Sequence, residues 1–118
     1  MRVIVCGSRR WNDRARIADR LFDLGMVTEN LSCMIVHGNA AGADRIAHQE
    51  AEKLGLLVEP HPADWERHGK RAGPLRNVEM AAAGADLCIA FWDGQSTGTQ
   101  HMIEEARKRG IPVEVIRS

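Results

Sequence analysis

Five short apolar runs rich in β-branched residues recur along the chain, and their spacing constrains the fold more than any other feature. They span residues 2–6, 33–37, 56–59, 87–91 and 113–116. Runs of this length with little polar alternation are typical of strands buried on both faces, as in a parallel sheet covered by helices. The spacing therefore predicts five parallel strands.

Amphipathic helical patterns fill the intervals between these strands. Ile17, Leu21 and Leu24 share one helical face, and three later segments repeat the three- or four-residue spacing. Capping residues and glycines mark four predicted helices, with starts at Asn12 or Asp13, Asp44, Pro74, and Ser96 or Thr97, and ends at Gly25, Gly55, Gly84 and Gly110. Strict alternation with right-handed crossovers predicts a Rossmann-like α/β fold. We expect a doubly wound parallel sheet of about five strands in the order 3-2-1-4-5, with helices on both faces.

Composition limits the domain organisation and the classes of partner. The 118 residues suffice for one core, so we expect a single domain over residues 1–118. Sixteen basic and sixteen acidic residues leave a formal net charge of zero, which argues against broad attraction to nucleic acids or anionic membranes. No apolar run approaches the length of a membrane helix, and Cys6, Cys33 and Cys88 lie in strand-like runs without a CxxC motif. We therefore expect a cytoplasmic protein with reduced, buried thiols.

Unusual residues collect where the predicted strands end. In a doubly wound sheet, ligands bind at the carboxyl edge where the strand order reverses, here between strands one and four. The segments at this edge are loop one (residues 7–11), loop two (38–44), loop three (60–73) and loop four (92–98). Loops two and four contain glycines and lead directly into helices, so backbone N–H groups and a helix N-terminus can approach a phosphate. The candidate ligand-binding residues are Gly7, Ser8, Arg9, Trp11, Gly38, Asn39, Gly42, Asp44, Arg76, Asn77, Asp93, Gly94, Ser96, Thr97, Gly98 and Thr99.

The glycine loops do not match the best-known nucleotide motifs. No lysine follows Gly42 or Gly98 as in a Walker motif, which disfavours an ATPase or kinase. The glycine spacing is also not GxGxxG, so ordinary NAD-dependent hydride transfer has no support.

Loop three is longer than a strand-to-helix turn requires, which is typical of a lid. Its His61, Asp64 and His68 are interpreted as polar loop residues, and no metal site is predicted. Three tryptophans lie in the loops and either cap the core or stack on a ligand ring: Trp11, Trp65 and Trp92.

Four ordered motifs at these positions resemble a known family. They are residues 6–9 (CGSR), 37–44 (HGNAAGAD), 73–77 (GPLRN) followed by Met80, and 93–99 (DGQSTGT). Nearly from end to end the chain is similar to the YspA and YpsA-related branch of the SLOG superfamily, which also includes the LOG (lonely guy) phosphoribohydrolases and the DNA-processing protein DprA. The resemblance implies a Rossmannoid domain that binds nucleotides or nucleotide-derived ligands, in several branches as a sensor connected to stress, NAD metabolism or conflict with phages. It also implies a homo-oligomer, since the relatives commonly pair.

One departure from the lonely-guy enzymes concerns catalysis. Those enzymes have a glutamate within three residues of the Gly-Thr in loop four, whereas this chain has His101 and Met102. Without that carboxylate, positive charge building on a ribose lacks its expected stabilisation. Weak catalytic candidates are left, although acids at helix starts are more often caps: Arg76, which is similar to an arginine near the glycosidic bond in those enzymes, Glu79 and Asp93, with Asp44 as a further substitute carboxylate.

Three functions are compatible with these patterns. The first is a non-catalytic module that senses or sequesters a nucleotide-derived, ADP-ribose-like ligand and requires no cofactor. The second is a nucleotide N-glycosidase or phosphoribohydrolase, which needs a carboxylate near the sugar. The third is single-stranded nucleic-acid binding through the arginines at positions 9, 10, 14, 16 and 20. Zero net charge makes a solvated helix face the better interpretation of the last three, so nucleic acid is not the expected partner.

Overall fold

The structure is a computed structural model that describes residues 1–28 and 32–118. Its five strands are β1 (Arg2–Gly7), β2 (Met34–His37), β3 (Leu57–Pro60), β4 (Leu87–Trp92) and β5 (Val113–Arg117). All neighbouring strands pair in parallel, in the order β3-β2-β1-β4-β5. The predicted strand order and fold class are confirmed.

The helices are α1 (Arg14–Thr28), α2 (Ala43–Lys53), α3 (Trp65–His68), α4 (Ala72–Ala82) and α5 (Thr97–Lys108), with a 3₁₀ turn at Gly69–Arg71. Successive side chains of a strand point to opposite faces, so the apolar strands feed two cores. Val5 and Phe91 pack on one face with residues of α1 and α2. Ile4 and Cys88 pack on the other with residues of α4 and α5. The continuous apolar runs are thereby explained.

One predicted helix end was wrong, and one short helix was not predicted. The first helix does not end at Gly25 but continues to Thr28, because Gly25 is buried inside the helix and adds no left-handed cap. Loop three is not irregular throughout, since it contains α3 and the 3₁₀ turn. The α3 start is fixed by Asp64, whose Oδ1 accepts a hydrogen bond from Arg67 N–H at 3.2 Å. This is an ordinary N-cap that composition alone did not separate from a loop.

All three cysteines are buried and carry free thiols. A hydrogen bond with Cys88, together with burial, raises the pKa of Cys6 well above its usual range, so this thiol stays protonated near neutral pH. No helix within residues 1–28 and 32–118 is both long and apolar enough to cross a membrane.

Candidate functional site

A cavity of about 750 Å³ opens at the carboxyl edge of the sheet, where β1 and β4 meet and the strand order reverses. Most of the predicted ligand-binding residues line it: Gly7, Ser8, Arg9, Asp44, Arg76, Asn77, Asp93, Ser96, Thr97, Gly98 and Thr99. The remaining predicted residues do not line it: Trp11, Gly38, Asn39, Gly42, Gly94 and the catalytic candidate Glu79. The cavity volume lies within the range of small-molecule sites.

Loop four presents unpartnered donors to this cavity. Asp93 Oδ1 accepts hydrogen bonds from the N–H groups of Gln95 and Ser96, both at 2.8 Å, and these bonds lower the pKa of Asp93. This turn is followed directly by α5, which begins at Thr97. Within the described residues, the N–H groups of Thr97 and Gly98, at the start of α5, have no hydrogen-bond acceptor. Free N–H groups at a helix N-terminus are suited to an anionic oxygen.

Ser8 joins loop one to its neighbours and is almost completely buried. Its N–H donates to Phe91 O at 3.0 Å, and its carbonyl oxygen accepts from the N–H groups of Trp11 and Ala43. Its Oγ accepts from Asp93 N–H at 3.1 Å, and its hydroxyl also hydrogen-bonds the Asp93 carboxylate, which contributes to the lowered pKa of Asp93. Ser8 therefore aligns loops one, two and four around the cavity.

Loop two also contains a carboxylate that accepts backbone N–H groups of its own loop. The N–H groups of Gly38 and Ala40 donate to Asp44 Oδ2 at 3.1 and 3.2 Å. The Asp44 carboxylate is buried and occupies the position that a bound anion would take on this loop. Burial raises the pKa of Asp44 to about 6, although the Ala40 N–H and the Arg76 charge oppose the shift. In both glycine loops a carboxylate of the chain therefore accepts two backbone N–H groups, Asp44 in loop two and Asp93 in loop four.

Two histidine side chains in series support the Asn39 amide of loop two. Asn39, which has a left-handed backbone with φ of 56°, donates its N–H to His37 Nδ1 at 3.0 Å. Because Nδ1 accepts, the proton lies on Nε2, which donates to His48 Nδ1 at 2.7 Å. His48 Nε2 in turn faces Glu52 Oε1 at 3.0 Å. Burial, together with the nearby His48, lowers the pKa of His37 to about 4, so His37 is neutral at physiological pH.

Arg76 holds two loops to α4 and has less capacity for a ligand than its sequence motif suggests. Its Nη1 donates to the carbonyl oxygens of Gly38 and His61, and its Nε donates to Asn77 Oδ1 at 3.0 Å. Within the described residues, Nη2 is the guanidinium nitrogen without an acceptor. Arg76 lines the cavity, so this nitrogen is what it can offer to a ligand.

The glycines in the motifs have different physical roles. Gly42 has φ of 80°, and a Cβ there would overlap the carbonyl oxygens of Ser8 and Arg9. A Cβ on Gly38 would collide with the Arg76 guanidinium, and one on Gly94, at φ of 82°, would collide with Arg117. Gly42 therefore requires glycine for the fold and Gly94 favours it through its left-handed backbone, whereas at Gly38 the colliding atoms are the far end of a flexible side chain. At Gly98 an added Cβ meets nothing within 4 Å, so the fold itself does not demand glycine there.

Cationic side chains outnumber free carboxylates around the cavity. Arg9, Arg10 and Lys70 line it, and none of them forms an ion pair among the described residues. The two carboxylates in the lining, Asp44 and Asp93, accept backbone N–H groups. Lys70 belongs to no motif and was not among the predicted residues, and Arg10 was considered only for a nucleic-acid surface. Only their proximity in the folded chain identifies them.

The position that departs from the lonely-guy enzymes presents an imidazole to the cavity. Asn77 Nδ2 donates to His101 Nδ1 at 3.1 Å, and His101 Nε2 lies 3.8 Å from Glu105 Oε1. Met102 touches the cavity but is 1% exposed and packs in the core, so it offers no polar group. Glu79 is exposed and lies outside the lining. Within residues 1–28 and 32–118, no group of three His, Cys, Asp or Glu side chains could hold a metal ion.

Comparison with known proteins identifies the family. A family described as YspA, cpYpsA-related SLOG matches residues 1–68. The chain belongs to this family, named YAcAr. The Gene 61 protein of Mycobacterium phage D29 is similar to this YAcAr chain, with 49% identity over 117 residues that cover 95% of this chain and 93% of the phage protein.

Two solved structures share the fold of this YAcAr domain. DNA processing protein A (DprA) from Streptococcus pneumoniae superposes with a TM-score of 0.75 at 23% identity and covers 99% of this chain. This chain spans half (50%) of that DprA chain. TM1055 superposes with a TM-score of 0.69 at 19% identity, covering 95% of this chain and 71% of TM1055. At these identities the likeness extends to the fold alone.

Proposed function

We propose that this YAcAr domain binds a nucleotide or nucleotide-derived ligand, such as an ADP-ribose-like compound, and acts as a sensor or sequestering module without turnover. One observation carries the proposal: the start of α5 offers N–H groups without acceptors beside cations that no carboxylate neutralises. Such a site attracts an anionic group. The cavity of about 750 Å³ is larger than a lone phosphate requires and can accommodate a nucleotide.

The phosphate is assigned to loop four and Arg9. Thr97 and Gly98 supply backbone N–H groups, and the Arg9 guanidinium can donate a forked pair of hydrogen bonds. The hydrogen-bond donors proposed for the phosphate lie on the loops that follow the strands, as expected at a switch point of a doubly wound sheet. The binding requires no cofactor, and a cytoplasmic location, where nucleotides are abundant, belongs to the same proposal.

The absence of turnover follows from the state of the carboxylates. Stabilising an oxocarbenium-like ribose needs a carboxylate that faces the sugar. Asp44 and Asp93 are both hydrogen-bonded to backbone N–H groups, and His101 occupies the α5 position that faces the cavity. These observations favour binding over the alternative of a phosphoribohydrolase.

Nucleic-acid binding has weaker support. DprA is a DNA processing protein, but two of the helical arginines that could form a nucleic-acid surface here pair with carboxylates. Arg14 pairs with Glu50 at 2.9 Å and Arg20 with Glu114 at 2.7 Å. We therefore assign the cationic rim of the cavity to a small ligand.

Titration calorimetry with AMP and with ADP-ribose tests the proposal. Arg9→Ala should weaken both ligands about ten- to a hundredfold, the expected loss of a charged hydrogen bond to phosphate. Arg45→Ala is the matched control, because Arg45 is an exposed arginine outside the cavity lining and should leave affinity unchanged. Equal effects of the two variants would show that the site is misplaced.

The same samples test turnover and the nucleic-acid alternative. Chromatography after long incubation should recover the nucleotide intact, and multiple-turnover release of base would establish the hydrolase instead. The protein should retain a single-stranded oligonucleotide no better than it retains AMP. Strong retention that weakens steeply with salt would favour the nucleic-acid function.

A further inference from the structure

The three tryptophans differ sharply in their surroundings, and one of them has no structural partner for its polar edge. Trp11 is 6% exposed, packs edge-on against Phe91, and donates its indole N–H to Asp13 O at 3.0 Å. Trp92 donates its indole N–H to Ser96 O at 3.0 Å and is covered by an arginine side chain. Trp65 is 48% exposed, and its indole N–H has no acceptor among the described residues.

Trp65 is nevertheless held in a defined position at the cavity. It is the first residue of α3, whose start is capped by Asp64. A Cβ on Gly73 would lie 3.2 Å from Trp65 Cη2, so the far edge of the indole packs on the first turn of α4. Its ring also lines the cavity. A large apolar ring fixed at its edge and open on its surface offers a stacking platform.

Arg9 connects this ring to the phosphate-binding side of the cavity. Its guanidinium carbon lies 5.8 Å from the Trp65 ring centroid, which is within cation–π range. Within the described residues, Arg9 forms no hydrogen bond or ion pair, so its donors are available. The preceding residue, Ser8, is bonded to Asp93 in loop four. Loop one therefore links the start of loop four to the aromatic ring.

We infer that Trp65, assisted by Arg9, forms the platform on which the base of the ligand stacks while its phosphate lies on loop four. This inference rests on the proposed function and deepens it, because it makes the ligand a nucleotide with its base rather than a sugar phosphate. The platform can accept any of the bases, since every base offers a flat aromatic face. Lys70, which lines the cavity on the same connection, adds a cation for a second anionic group.

The test compares ligands that differ only in the base. AMP, UMP and ribose 5-phosphate are titrated into the intact protein, into Trp65→Ala and into the control Trp65→Phe, which keeps a flat ring. Trp65→Ala should bind AMP about ten- to a hundredfold more weakly and UMP more weakly by a smaller factor. Ribose 5-phosphate should change less than about twofold. Trp65→Phe should retain most of the AMP affinity.

Other outcomes separate the platform from the proposed function. If Trp65→Ala weakens AMP and ribose 5-phosphate equally, Trp65 only supports the loop, and the platform is refuted. If it weakens neither, or if unmodified protein binds AMP and ribose 5-phosphate equally well, the base makes no stacking contact, while the proposed phosphate site stands. If unmodified protein binds none of the three, the proposed function fails and the platform with it. Urea denaturation of Trp65→Ala should lower the midpoint only slightly, since the side chain is half exposed and only its far edge packs on α4.

Fluorescence gives an independent readout of the same contact. Trp65 is the exposed indole, so a base stacked on it should quench tryptophan emission and shift it to shorter wavelength. The quenching by AMP should disappear in Trp65→Phe, which still binds AMP. Persistence of the full quenching in that variant would place the base beside Trp92 or Trp11 and overturn the inference.

Discussion

Gly98→Ala should strengthen the fold and weaken the ligand at once. Gly98 is the second residue of α5, its backbone is not left-handed, and an added Cβ meets nothing within 4 Å. Alanine is favoured over glycine in a helix by about 0.5–1 kcal/mol, in part because it restricts the unfolded chain. We expect stabilisation of about 0.5 kcal/mol, near the lower end because Gly98 lies in the first turn. For a chain of this length that raises Tm by roughly 2–3 °C.

The loss of binding follows from the direction of the new methyl group. Cα–Cβ bonds of a helix tilt towards its N-terminus, so the methyl group projects into the space in front of the free N–H groups. A phosphate at hydrogen-bond distance from these groups would be displaced. We expect at least a tenfold loss of AMP affinity, equivalent to about 1.4 kcal/mol. Most mutations that damage a site by damaging the fold change both quantities in the same direction, so the opposite signs are diagnostic.

Gly110→Ala is the matched control at the other end of α5. Its φ is 75°, and a Cβ there also meets nothing within 4 Å. The left-handed backbone should make this change destabilising by about 1 kcal/mol, and AMP affinity should be unchanged. Urea denaturation and calorimetry on the two variants decide the matter. Destabilisation by Gly98→Ala, or AMP binding equal to that of the unmodified protein, would refute the reasoning.

Three further predictions concern the supporting residues. Gly42→Ala should destabilise the fold by more than about 2 kcal/mol, measured by urea denaturation, because its left-handed backbone and the carbonyl oxygens beside it leave no room. Burial raises the pKa of Asp44 from its ordinary value of 3.8 to about 6 in the folded protein. Asp44 therefore adds roughly 3 kcal/mol to the free energy of unfolding below pH 4, and this contribution is lost as pH rises through 6. The pKa of His37 is lowered from 6.5 to about 4, so His37 adds a similar amount to the free energy of unfolding above pH 6.5. This contribution is lost as pH falls towards 4. Asp44→Asn should therefore convert a shallow stability profile between pH 4 and 6.5 into one that rises with pH, and an unchanged profile would contradict the assigned shifts.

The fold could be predicted from sequence because its signals are local and repeated. β1, β2 and β4 are apolar runs that are largely buried on both faces, whereas the edge strands β3 and β5 carry Glu59 and Glu114 and are only partly buried or exposed. The same argument fails for boundaries where tertiary packing overrides a local signal. Gly25 is a plausible helix end in sequence, yet it packs inside α1. Loop three required the Asp64 cap to be recognised before α3 could be placed.

The cavity was only partly predictable because several of its groups come together through long-range contacts. The motif residues mark the strand ends, and the topology brings those ends to one edge. Lys70 and Arg10 belong to no motif, and their approach depends on how loops one and three fold over the cavity. The engagement of Arg76 is equally invisible in sequence, since it depends on carbonyl oxygens 38 and 15 residues away.

The two glycine loops look alike in sequence but differ in what surrounds their glycines in the structure. Gly42 and Gly98 look equivalent in sequence, because each lies in a turn that leads into a helix. In the structure Gly42 is required by its own backbone and by the carbonyl oxygens of loop one, and a carboxylate of the same chain already fills the anion position on loop two. Among the described residues nothing requires Gly98, and the N–H groups at its helix start have no acceptor. A glycine without an internal reason, beside donors without internal acceptors, supports the proposed external ligand, and the cations around it favour an anionic group.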